Sequence, residues 1–187
     1  MESEFNFGLM DQNMRGYGGR TKLVEKGECH NNGDVYEGSW KDDKANGYGF
    51  FLDINSAKYE GYWVDDQQHG EGVESWGEPG GAQANYVGTF FKGKKNGKGR
   101  FQWEDGSYYE GDFVDGHFCG FGRYYFADLD KYYEGEFRNS NMEGRGIETW
   151  ADGRRYEGDF KNGKKDGEGT FEWPSGIKYI GSWRSGK

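Results

Sequence analysis

The side chains that could carry chemistry here are three histidines, two cysteines and 33 scattered carboxylates. A general base or a nucleophile needs a second group within hydrogen-bond reach. His30, His69 and His117 fall in different segments of a repeating chain, so strand spacing keeps them apart. His69 leads straight into Gly70-Glu71-Gly72 and reads as a turn residue. His117-x-Cys119 supplies two metal donors where a tetrahedral site needs four. Cys29 and Cys119 stand about four repeats apart, roughly 40 Å if each repeat adds two strands, too far for a disulfide. Free thiols fit a reducing, cytoplasmic compartment. Pairs such as Gly167-Glu168-Gly169 never extend to Gly-x-Gly-x-x-Gly, and they feed strands rather than helices. A phosphate cradle at a helix start is therefore excluded. The expectation is no catalysis, no cofactor and no metal.

What remains is binding chemistry, from two sets of residues. The run Lys92-Gly-Lys94-Lys95-Asn-Gly-Lys98-Gly-Arg100 holds five positive charges and no acid. It could meet a phosphoinositide headgroup or an acidic partner. Its plainer reading is solubilising lysines in exposed turns, and a formal net charge of −9 opposes both nucleic acid and anionic lipid. The second set is aromatic. Rings make up 19% of residues in a chain with only 33% hydrophobic residues and 35 glycines. A solvated coil would not carry so many rings, so they supply most of the burial.

The elements that position these rings follow from a period. A Tyr-x-Gly-x-aromatic cluster recurs at Tyr36–Trp40, Tyr59–Trp63, Tyr86–Phe90, Tyr109–Phe113, Tyr133–Phe137, Tyr156–Phe160 and Tyr179–Trp183. Consecutive tyrosines lie 23, 27, 23, 24, 23 and 23 residues apart. Such a period marks stacked supersecondary units rather than one globular core. In the sixth unit Tyr156, Gly158 and Phe160 alternate with acids, then Gly167, Gly169, Phe171 and Trp173 alternate with polar residues. Period-two alternation is strand. Asn162-Gly163 between the two runs is turn chemistry, and Ser175-Gly176 closes the unit. The predicted fold is all-β, an elongated single-layer antiparallel meander of stacked β-hairpins. Glycines on the ring face would let a ring lie across the bare backbone of its neighbour.

These repeats resemble the MORN (membrane occupation and recognition nexus) family, whose pattern is Tyr-x-Gly-x-Trp/Phe, a short turn, then Gly-x-Gly with aromatics. The resemblance spans 36–187, six full copies and a half copy. Residues 23–35 read as a degenerate half repeat or cap, with Gly33 three residues before Tyr36 as Gly106 is before Tyr109. Residues 1–22 lack the repeat and read as a tail, disordered or docking. The insertion 77–85 in the second repeat predicts a protruding loop, and one extra residue near Asp128-Leu-Asp-Lys131 predicts a bulge or longer turn. The start, Met1-Glu-Ser-Glu, has no secretory pattern.

A single-layer sheet leaves one ringed face open, and such a face is what a partner helix or extended segment would use. The predicted anchors are Trp76, Trp103, Phe126, Trp150 and Trp173. The flanking groove residues are Tyr59, Trp63, Phe101, Tyr109, Phe113, Tyr124, Tyr133, Phe137, Tyr156 and Phe171. Glu74 and Glu148 stand where other copies carry a ring, and are expected to select lysine or arginine on the partner. Family members serve cytoskeletal and ciliary assemblies, membrane–cytoskeleton junctions, or modules of lipid kinases and methyltransferases. The resemblance thus implies a non-catalytic scaffold, cytoplasmic and associated with cytoskeleton or cilium. The alternatives are a phosphoinositide-binding membrane tether through Lys92, Lys94, Lys95, Lys98 and Arg100, and the regulatory array of a longer enzyme. The half repeat at the end suggests end-to-end self-association or a longer protein.

Overall fold

The computed structural model describes residues 28–29, 33–77 and 81–187. The sequence readings for 1–22, for most of 23–35 and for the tip of the 77–85 insertion lie outside them. Among the described residues fourteen strands follow one another in chain order in a single antiparallel sheet, each pairing with its sequence neighbours. β1 (Glu28–Cys29), β2 (Val35–Lys41), β3 (Lys44–Leu52), β4 (Lys58–Val64) and β5 (Gln67–Trp76) open it. β6 (Ala84–Phe91), β7 (Lys94–Gln102), β8 (Tyr108–Val114), β9 (His117–Phe126) and β10 (Lys131–Arg138) continue it. β11 (Asn141–Trp150), β12 (Arg155–Lys161), β13 (Lys164–Glu172) and β14 (Lys178–Trp183) complete it. The fold is the predicted all-β meander. Thirteen steps of about 4.8 Å give a span of roughly 60 Å.

Each repeat is a hairpin closed by two residues with positive φ, among them Asp65 and Asp66 (47° and 64°) and Asn162 and Gly163 (49° and 75°). Two successive positive φ values define the type I′ turn, whose twist matches that of paired strands. The backbone N–H of the second turn residue reaches the preceding repeat. Gly93 donates to Gln68 O at 2.9 Å, Gly116 to Lys95 O at 2.9 Å and Gly163 to Met142 O at 3.0 Å. The hairpin tips are thereby tied in series. The extra residue near 128–131 is absorbed in a turn, with Asp130 at φ 41° and its carboxylate accepting from the Tyr125 hydroxyl.

The register explains the glycines. Gly61 faces Gly72, Gly72 faces Gly88, and Gly88 faces Gly99; the same Gly-on-Gly pairing continues through Gly146, Gly158 and Gly169. Repeat tyrosines lie over this stripe. A β-carbon on Gly61 would sit 2.6 Å from the Tyr59 hydroxyl and 2.7 Å from the Gly72 Cα. Only bare backbone admits the ring. The sequence reading gave both glycines of each Gly-x-Gly this role, but the structure divides them. Gly47 and Gly97 adopt φ of +100° and +92°, and there the pairing shifts register between Gly38 and Trp40 or between Gly88 and Phe90. That bulge re-aims the strand and frees a carbonyl. Tyr59 donates to Tyr62 O at 2.9 Å, Tyr86 to Thr89 O at 3.0 Å and Tyr133 to Glu136 O at 3.0 Å.

Candidate functional site

The ringed face has two levels. The lower level is the core. Tyr59, Tyr86, Tyr109, Tyr133 and Tyr156 are 0–1% exposed, and Trp63, Phe90, Phe113, Phe137 and Phe160 are buried between them. Each tyrosine meets two rings edge-on: Tyr59 meets Trp63 at 5.0 Å and Phe90 of the next repeat at 5.1 Å, and Tyr133 meets Phe137 at 5.2 Å and Phe160 at 4.8 Å. Perpendicular contacts suit the ring quadrupoles. Burial pushes the Tyr36 and Tyr156 hydroxyls up to about 12, helped by Asp66 and Asp159 respectively, and it raises Tyr59, Tyr86, Tyr109 and Tyr133 as well.

This corrects part of the expected groove. Tyr59, Tyr109, Tyr133 and Tyr156 are 0–1% exposed and Phe137 5%, so they offer a partner almost no surface, while Trp63 and Phe113, buried but at the margin of the core, each line an open depression. Glycine beneath each tyrosine lets the ring sink into the sheet, and the aromatic four residues on closes over it.

The upper level is a belt of half-buried rings at the far end of each second strand. Trp76 stacks on Phe101 (5.7 Å, 29°), Phe101 meets Trp103 at 4.7 Å, Trp103 meets Tyr124 at 5.2 Å, and Tyr124 meets Phe126 at 4.4 Å. Farther along, Trp150 meets Phe171 at 5.6 Å and Phe171 meets Trp173 at 4.6 Å. Trp173 is 40% exposed. All described strands lie in one sheet, so none of them covers this belt. Beside it an open depression of about 580 Å³ is lined by Phe101, Trp103, Phe113, Phe118, Lys94, Lys95, Asp115 and Ser140, among others. The structure therefore brings together Trp76, Phe101, Trp103, Tyr124 and Phe126 as one row, and Trp150, Phe171 and Trp173 as another.

Beside the rows the expected acids are already engaged. Glu74 accepts from Lys95 at 2.6 Å, with both side chains about one-fifth exposed. Glu148, 5% exposed in its side chain, accepts from Lys131 at 2.5 Å and from Lys165 at 2.8 Å. The lysines also rest on ring faces. Lys95 Nζ lies 4.7 Å from the Trp76 ring and 5.1 Å from the Tyr86 ring, and Lys165 Nζ lies 4.6 Å from Trp150 and 4.9 Å from Tyr156. Lys131 sits 4.4 Å from Phe126. Two cations share one carboxylate at Glu148, and the ring faces offset the excess charge. Glu74 and Glu148 thus do not wait for a partner's cation; the chain supplies it.

The basic run fares likewise. Lys94 pairs with Asp115 at 3.3 Å, Lys98 with Asp112 at 2.8 Å, and Arg100 with Glu110 at 3.6 Å while lying 3.9 Å over Tyr108. Lys95 is engaged by Glu74 as above, and Lys92 lies against Phe91 at 5.4 Å. A run with no acid along the sequence acquires acids across the sheet, because β8 and its following turn lie alongside it. Lys94 and Lys98 stay largely exposed, each beside an acid.

Sequence reasoning placed neither Lys131, Lys165 nor Phe118 in the groove; Phe118 stacks flat on Tyr109 (3.9 Å, 12°). A signal existed: Lys95, Lys165 and Phe118 each stand nine residues after a repeat tyrosine. The remaining reactive groups stay apart. His69 lies against Phe91, His117 faces Ser140, and Cys119 is a free thiol. Among the described residues no three potential ligands gather for a metal.

The sequence model of the MORN repeat matches six times, at residues 36–56, 59–78, 86–108, 109–131, 133–154 and 156–178. Alsin from Rattus norvegicus is 35% identical over 74 residues, which are 37% of this chain and 4% of alsin. Alsin from Homo sapiens is 32% identical over a stretch of the same length. This chain thus spans a small fraction of those relatives. Among solved structures, the TCP domain of SAS-4 (dCPAP) of Drosophila melanogaster, in complex with a proline-rich motif of Ana2 (dSTIL), is similar at TM-score 0.48 and 13% identity. That alignment covers 92% of this chain and 100% of that one.

Proposed function

The chain belongs to the MORN repeat family, and from that premise we propose that it is a non-catalytic scaffold that holds a protein partner along its upper ring belt. One observation carries this reading: two rows of half-buried tryptophan, phenylalanine and tyrosine lie on a face that no described strand covers. Rings held rigidly by their neighbours lose little freedom on binding, and tryptophan and tyrosine dominate binding hot spots. A sheet face about one strand-length wide suits an extended segment or a helix laid across the strands. We assign the scaffold to a cytoplasmic assembly of the cytoskeleton or cilium. That placement is by analogy with the family, and the acidic surface supports it by opposing direct attachment to an anionic bilayer.

The test is affinity capture from native extract with the intact chain and with a Trp103→Ala/Trp150→Ala variant. The variant's fold is checked by near-ultraviolet circular dichroism. A partner held by the wild type and lost by the folded variant supports the belt. Equal capture by both moves the interaction to the polar face or the chain ends and removes this reading.

A further inference from the structure

Two repeats build an internal cage for an ammonium group. In each, a glutamate is the register partner of the repeat tyrosine: Glu74 opposite Tyr86, and Glu148 opposite Tyr156. In each, the following strand puts a phenylalanine on the tyrosine's other side, Phe101 or Phe171. In each, the residue nine positions after the tyrosine is a lysine, Lys95 or Lys165, whose Nζ reaches the glutamate and lies over the rings. Where the register partner on the preceding strand is a ring instead, position nine is Gln68, Phe118 or Met142. Lysine is found where the carboxylate demands it.

The first repeat has the aromatic frame of the cage, and its register, without its lysine. Glu28 stands at the register position opposite Tyr36, and Phe51 lies opposite on the other side. Position nine is Ala45. An open depression of about 620 Å³ lies there, floored by Tyr36, Trp40, Ala45, Phe51 and Trp63, with Asp43, Asp66 and Lys92 among the polar residues around it. Tyr36 meets Trp40 at 5.0 Å and Trp63 at 5.4 Å, both edge-on. Trp63 is no obstacle to a cation, since its counterpart Trp183 lies 5.7 Å from Lys165 in the filled cage. Among the described residues the rims carry Asp43 and Asp66 against one cation, Lys92.

We infer that this first-repeat depression is a receptor for a lysine side chain of a partner polypeptide, which completes from outside the cage that Lys95 and Lys165 complete from within. The inference rests on the scaffold reading and adds the chemistry of one contact. The ammonium would lie against tyrosine, tryptophan and phenylalanine faces, the arrangement by which aromatic cages take cations. The Asp43 and Asp66 carboxylates at the rim favour a charged nitrogen over a neutral amide of equal length.

The probe is Nα-acetyl-lysine methylamide, titrated at millimolar concentrations while the seven tryptophan indole N–H resonances are followed by NMR and assigned through single Trp→Phe variants. Trp40 and Trp63 should shift saturably, and the Nε-acetylated analogue should bind at least about tenfold more weakly, the loss of roughly 1.4 kcal/mol. Trp76 and Trp150, beside filled cages, should stay still. Ala45→Lys should abolish the response, and Lys95→Ala should create one at Trp76. Equal response to both analogues, an unchanged response in Ala45→Lys, or none at Trp76 in Lys95→Ala overturns the proposal. A Lys22→Ala/Lys26→Ala variant whose Trp40 and Trp63 signals move without probe shows that the chain's own lysine fills the cage, and also overturns it. A partner still lost by the Trp103→Ala/Trp150→Ala variant, with no probe response, would remove the cage and leave the belt.

Discussion

Tyr133 shows what one repeat tyrosine does. Its ring is fully buried, its hydroxyl donates to Glu136 O, and Gly135 and Gly146 give it room. Tyr133→Phe should cost about 1 kcal/mol by orphaning that carbonyl. Gly135→Ala should cost about 1–3 kcal/mol, because its β-carbon would lie 2.6 Å from Gly146 Cα, and backbone cannot step aside as a side chain can. Urea unfolding of the two variants should rank them in that order; the reverse order would mean that the hydrogen bond, not the bare backbone, fixes the ring. Glu148 is the other informative residue. Replacing it with glutamine leaves Lys131 and Lys165 facing each other without a carboxylate and should destabilise by about 3 kcal/mol, while Lys165→Met, which keeps the Lys131 pair, should cost clearly less.

At the scale of the element, the hairpin turn is the unit of repetition. Asp42-Asp43 closes the first hairpin with φ of 51° and 60° on two residues that both carry a β-carbon. Asn162-Gly163 makes the same turn with a glycine second. Asp43→Gly should therefore raise stability by up to about 1 kcal/mol, read as an increase in the urea midpoint at constant slope. No gain would mean that the Asp43 carboxylate contributes as much as its backbone strain costs. The hairpins and their turns were legible in the sequence because alternation and Asn-Gly chemistry are local. The bulge was not: Gly47 and Gly49 look alike in the sequence. Only the register shows that one bends the strand and the other lies under a ring.

Across the whole molecule, the core is a line rather than a sphere, so stability passes from repeat to repeat. Amides of β8 to β11 should exchange most slowly, and those of β14, where Tyr179 is 43% exposed and Ile180 76%, fastest. Uniform protection along the sheet, measured by hydrogen exchange, would argue for a single cooperative unit instead. The same line of tyrosines sets the alkaline limit. Their hydroxyls are raised on folding, so the stability they lend is complete below pH 10, the unfolded value, and is lost as pH climbs toward the folded value of about 12 for Tyr36 and Tyr156. Absorbance at 295 nm should show the buried tyrosines ionising together with loss of the sheet signal. Ionisation at pH 10 with the sheet intact would contradict their burial.

The sequence by itself determined the period, the hairpins, the sheet order and the existence of a ringed face, because all four follow from alternation repeated at a fixed interval. Tertiary structure alone decided which rings are core and which are surface. Tyr59 and Trp76 read alike along the chain, yet the first sinks onto glycine backbone and the second stays half exposed. It also decided the fate of the charges. Glu148 meets Lys131, and Lys98 meets Asp112, only because strands whose residues are seventeen and fourteen positions apart lie side by side, and Lys165 reaches Glu148 from β13 across β12. A sequence shows where a charge is placed along a strand, but its partner is chosen by register, and register exists only between strands.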